Sequence, residues 1–99
     1  MKASSGGFVV EVVDAGVSPG GTMIVPFQTL KTSQGVWSFG AGGQGGGNVL
    51  LLNGTQASSG SGVKLKVGAG FILYTFNSSG NWYRWTGNGW AFFGTTEPT

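Results

Sequence analysis

Hydrophobic and polar positions alternate along much of this chain. Residues 63–67 (VKLKV) place Val63, Leu65 and Val67 on one side of an extended backbone and Lys64 and Lys66 on the other. That period of two is the mark of a half-buried strand. Residues 8–13 (FVVEVV) are β-branched and aromatic and end in Asp14-Ala15-Gly16, a strand closed by a turn. Residues 22–25 and 27–30 also read as strand, interrupted by Pro26. A proline there puts the segment on a sheet edge or at a bulge. Residues 35–39 (GVWSF) predict a short strand, residues 40–47 a glycine-rich loop, and residues 49–52 (VLLL) a strand covered on both faces.

Beyond residue 52 the punctuation becomes regular. Asn53-Gly54 is a turn signal, and residues 55–62 are small and polar. From residue 71 the chain reads as a meander of strands over 71–77, 81–85 and 90–93, turning at Ser78-Ser79-Gly80 and at Thr86-Gly87-Asn88-Gly89. Asn88-Gly89 is a hairpin signal because both residues tolerate positive φ. No run of a dozen residues free of Gly and Pro carries apolar side chains at helical spacing, so no helix is expected. The pattern predicts one all-β domain over residues 1–99, with a flexible N-terminal arm at 1–7 and a C-terminal tail at 94–99. About seven to eight short antiparallel strands with Gly-rich loops would form a sandwich, a jelly roll or a small barrel.

Composition sharpens this picture. Charged residues make up 8% of the chain, against about 25% in ordinary soluble domains. Glycine contributes 21 of 99 residues, roughly three times its usual share of about 7%. Disordered glycine-rich chains rarely hold four Trp and seven Phe, so this chain is read as folded around rings. So few charges leave little to keep a monomer apart from its neighbours, and part of the surface is expected to be covered by identical copies or a larger partner. The absence of cysteine removes disulfides and thiolate zinc sites. The longest apolar runs fall far short of the ~20 residues of a spanning helix, and the first residues lack an export core, so neither a membrane segment nor a signal peptide is expected.

Candidate chemistry is sparse. The chain has no His and no Cys, which removes the commonest general base, the thiol nucleophile and most transition-metal ligands. Glu11 and Asp14 point to opposite faces of a strand, and Glu97 sits in the tail, so no carboxylate pair is set for glycoside hydrolysis. The reading is no enzyme, no catalytic residue, no cofactor and no metal. Residues 40–45 match G-x-G-x-x-G, but a strand rather than a helix follows, so no helix N-terminus is there to hold a pyrophosphate. Asn53-Gly54-Thr55 and Asn77-Ser78-Ser79 match the glycosylation pattern and are better read as turns. The five basic residues are scattered along the chain, a weak footprint for nucleic acid.

The aromatic cluster near the C-terminus is the richest feature. Trp82 and Arg84 share one face of their strand, and Tyr83 and Trp85 share the other. One core cannot take both faces. Trp82, Tyr83, Arg84, Trp85, Trp90 and Phe92 are therefore the candidate residues for a subunit interface or a ligand-stacking platform.

Residues 48–85 run as apolar strand, Asn-Gly, Ser/Gly stretch, alternating strand, glycine, strand, turn and Asn-Trp-Tyr. This order resembles β-rich segments of tailed-bacteriophage virion proteins, both capsid decoration (cement) proteins and fibre domains. There the aliphatic strand and small-residue turn often lead to a G-x-x-W-Y element, here Gly80, Trp82 and Tyr83 with one residue fewer between Gly and Trp. The resemblance covers about two fifths of the chain. It implies a protein made in the host cytoplasm and displayed on the virion surface, often as a homotrimer, that clamps the major capsid (coat) protein without cofactor, membrane or nucleic acid. The start at Met1 and the absence of long repeats favour decoration over a fibre. The alternative is a carbohydrate- or host-receptor-binding module of a tail or fibre, with Trp82, Trp85 or Trp90 as stacking rings.

Overall fold

The computed structural model describes residues 17–42 and 47–99. The expected strand at 8–13, the arm at 1–7, Glu11, Asp14 and the middle of the glycine loop lie outside the described residues. Among the described residues the protein is all-β, with nine strands and one 3-10 turn at Ala69–Phe71. The strands are β1 (Met23–Ile24), β2 (Leu30–Thr32), β3 (Gly35–Gly42), β4 (Asn48–Leu52), β5 (Thr55–Gly62), β6 (Lys64–Val67), β7 (Leu73–Phe76), β8 (Trp82–Trp85) and β9 (Trp90–Gly94). One antiparallel sheet has the order β2-β3-β4-β5, and the other β9-β8-β7-β6-β1. The two open sheets stack as a sandwich rather than closing into a barrel.

Alternation decides which side chains lie between the sheets. Leu65 pairs with Thr75 and Val67 with Leu73, and all four are buried. Their neighbours Lys64, Lys66, Tyr74 and Phe76 point to the other face. In the opposing sheet Trp37 pairs with both Leu30 and Leu52, and Phe39 pairs with Leu50. Trp37, Leu50, Leu65 and Val67 are the largest fully buried side chains. Trp85 and Trp90 meet Trp37 edge-on, with ring centroids 5.0 and 5.8 Å from it. Each indole N–H of this trio is satisfied: Trp37 donates to Thr32 Oγ1 at 3.0 Å, Trp85 to Gln34 Oε1 at 2.6 Å and Trp90 to the Ala57 carbonyl at 3.2 Å. Three rings thus fill a core that a chain with so much glycine has few other side chains to fill.

Four local expectations change. Pro26 and Phe27 form a turn, closed by Gln28 N–H donating to the Val25 carbonyl at 3.1 Å, so strand resumes only at Leu30. Strand β3 continues through Gly42 because Asn48 Nδ2 donates to the Gly40 carbonyl and Gly42 pairs with Asn48. Residues 55–62, polar in sequence, are a strand on the sheet edge, where no buried partner demands apolar side chains. The β8–β9 hairpin has its positive φ at Gly87 (107°), not at Asn88 or Gly89. Positive φ at the first central residue alone is the type II′ pattern, with glycine in that position, rather than the Asn-Gly type.

The C-terminal segment is tied down. Glu97 accepts from Lys66 Nζ at 2.6 Å, the same ammonium donates to the Pro98 carbonyl at 2.7 Å, and Ala69 N–H donates to the Thr99 carbonyl at 2.9 Å. Pro98 is buried. The tail therefore straps the outer face of the five-stranded sheet beside Tyr74, whose ring meets Phe93 at 5.0 Å.

Candidate functional site

The sheet register distributes the sequence-derived candidates over two faces and does not assemble them into one site. Trp82 lies on the outer face, 3% exposed and packed on Phe76 at 4.8 Å. Arg84 is on that face too, exposed, between Tyr74 and Ala91. Trp85 and Trp90 belong to the inter-sheet cluster around Trp37. Tyr83 sits at the open margin of the inner face, edge-on to Phe92 at 5.8 Å, and Phe92 is 62% exposed on the edge strand β9. Of the three tryptophans proposed as stacking rings, Trp82 is buried and Trp85 and Trp90 are partly buried against the core.

The register also gathers cations that the sequence scatters. Lys64, Lys66 and Arg84 all stand on the outer face of the five-stranded sheet. Two of them are already engaged: Lys66 with Glu97, and Lys64 over the Phe76 ring at 5.3 Å. The hydrogen bond and the positive charge of Lys66 hold the Glu97 carboxyl below the usual carboxylate range. Among the described residues no group of three or more His, Cys, Asp or Glu side chains stands together to hold a metal.

Several large apolar side chains are left exposed. Met23, Val25, Phe27, Val36, Phe71, Ile72, Phe92 and Phe93 all stand more than a third open to solvent. Phe27 is the extreme case. Its ring is fully exposed, and its backbone has φ of 76°. This is the third position of a type II turn, which normally takes glycine, and Pro26 presets the position before it. Gln28 braces the turn, its Oε1 accepting from Val25 N–H at 3.1 Å. Met23 and Val25 lead into the turn along the β1 edge. Phe71 is the second example: 63% exposed with φ of 60°, at the end of the 3-10 turn.

The exposure of Phe27 is hidden in the sequence because the run from Phe27 to Leu30 has the pattern of a strand. The available signal was Pro26 followed by a residue that cannot continue a ladder, a turn pattern rather than a strand pattern. For Phe71 the signal was the preceding Gly68-Ala69-Gly70, too rich in glycine to fix where the next strand begins. The chain matches no protein-family model, no curated protein and no solved structure.

Proposed function

We propose that this protein is a non-catalytic assembly module, a virion structural protein of the capsid decoration type that docks on a coat-protein lattice through exposed apolar rings. One observation carries the reading: Phe27 sits fully exposed at a positive φ. The ring gains nothing from burial within its own chain, and the backbone conformation costs a non-glycine residue about 1–2 kcal/mol. Such a residue contributes only where something outside the chain covers it, and strain of this kind clusters at binding sites. A surface rich in apolar groups and poor in charge suits a partner of the same character and an interface little affected by salt. Self-association, as a trimer in the proteins this chain resembles, belongs to the same proposal. For the receptor-binding alternative, with Trp82, Trp85 or Trp90 as platform, the burial of Trp82 and the packing of Trp85 and Trp90 on the core leave less ring surface for stacking.

A decoration protein acts by mass action: it binds the assembled shell and not the loose subunits, and so stabilises the shell. The test strips the protein from particles and adds back native chain or Phe27→Asn. Stripped particles are expected to lose resistance to heat, native chain to restore it, and Phe27→Asn to restore it only at roughly tenfold or higher concentration. Particles equally robust without the protein would overturn the reading, as would equal rescue by the variant.

A further inference from the structure

A cleft of about 360 Å³ opens between the two sheets at the Tyr83 margin, within the range of roughly 300–1,000 Å³ found for small-ligand sites. One wall is the Ser59-Gly60-Ser61 segment of β5, the other Tyr83 and the Asn77–Ser79 turn, and Leu50, Thr75 and Trp90 also line it. A distortion of β5 forms the first wall. Val49 pairs with Ser61 but Leu51 pairs with Gln56, so Leu50 alone stands opposite residues 57–60. The surplus chain is taken up at positive φ, 64° at Ser58 and 110° at Gly60. Bulges of this kind re-aim side chains and recur beside functional sites. Trp90 pins the bulge from the facing sheet through its bond to the Ala57 carbonyl.

The second wall is rigid. Asn77 Oδ1 accepts from Ser79 N–H at 3.1 Å and Asn81 N–H at 2.9 Å, and the turn closes with Asn77 N–H donating to the Asn81 carbonyl. With Oδ1 so committed, the amide's orientation is fixed, and among the described residues Nδ2 has no acceptor. Among the described residues the Ser59, Ser79 and Tyr83 hydroxyls have no hydrogen-bond partner, whereas Ser61 and Ser78 are engaged. Phe92 holds the Tyr83 ring edge-on. Among the described residues no Asp, Glu, Lys or Arg lines the cleft.

Aromatic faces, hydroxyls and an amide, with no charge, are the complement of a neutral sugar ring. Its C–H face packs on Tyr83 and its hydroxyls meet Ser59, Ser79 and Asn77 Nδ2. We infer that the cleft between the β5 bulge and the Asn77–Ser79 turn binds a neutral saccharide. It uses none of the residues of the Phe27 surface and stands independently of the docking proposal.

The test follows backbone amide resonances while glucose, galactose, mannose and N-acetylglucosamine are titrated separately into the full chain. At least one sugar is expected to shift the amides of residues 59–61 and 77–79 saturably, with glucuronic acid binding more weakly because the described lining offers its carboxylate no cation. Ser59 is exposed, so Ser59→Arg fills the cleft without entering the core and is expected to weaken binding by roughly tenfold or more. Tyr83→Ala should do the same, and its dispersed spectrum reports that it remains folded. A methyl glycoside that binds as well as the free sugar assigns the cleft to a glycan chain end. Loss of binding on methylation assigns it to a free sugar. Absence of saturable shifts with all four sugars overturns the inference, and so does binding that survives Ser59→Arg.

Discussion

Phe27 and Gly87 occupy the same kind of backbone region with opposite logic. Gly87, φ 107°, is the residue type its turn requires. Phe27, φ 76°, is not, and nothing among the described residues repays it. Phe27→Asn places a residue that tolerates the left-handed region in the same turn. The variant is expected to be more stable than native protein by about 0.5–1 kcal/mol, read as a raised midpoint in urea unfolding. A lowered midpoint would show that the ring supports its own fold, which would remove the argument for an external partner. The stability and attachment measurements on this one variant are expected to move in opposite directions, as at sites where function is kept against stability.

At the scale of elements, the C-terminal strap shows how one ion pair positions a segment. Lys66 Nζ bonds both Glu97 and the Pro98 carbonyl, and Ala69 N–H holds the Thr99 carbonyl. The Glu97 carboxyl lies half in solvent, so the pair contributes little to global stability, but it sets whether the tail lies on the sheet. Its folded pKa is depressed by the Lys66 hydrogen bond and charge. The pair's contribution is therefore complete above the ordinary glutamate range and is lost as pH falls through the lowered folded value. The Ala69 amide resonance is expected to titrate with a midpoint below that of an unperturbed glutamate, and Glu97→Gln to abolish the titration. A midpoint at or above the ordinary value would mean that the strap does not form in solution.

For the whole molecule the question is which surfaces a neighbour can use. Among the described residues three of the four sheet edges are blunted: β1 has two residues and runs into Pro26, β2 has three and exposes Lys31, and β5 is bulged. The fourth, β9, has five residues, no charge, and Phe92 and Phe93 at 62% and 47% exposure. An unprotected apolar edge is a pairing site for another chain. Sedimentation equilibrium is expected to give a mass above the 10.1 kDa of one chain, and Phe92→Lys to return it to that value. A native monomer at micromolar concentration, or an unchanged assembly in the variant, would exclude β9 as the contact.

The all-β class, the absence of helix and the inward set Leu65 and Val67 were legible in the sequence. They depend on local quantities: the period of two in residues 63–67, and glycine or proline interrupting every helical window. The two-faced character of residues 82–85 was legible for the same reason, since alternation along a strand needs no partner to define it. What each face meets was not legible. Trp85 and Trp90 pack on the core because β3, remote in sequence, brings Trp37 against both of them, whereas Phe27 is bare because a turn carries it off the sheet. The cleft, too, depends on an offset between β4 and β5 and on a turn contributed from the other sheet. Strand identity is written in neighbouring residues. Burial, exposure and the shape of a site are settled by contacts between distant segments, and only the tertiary structure decides which of them meet.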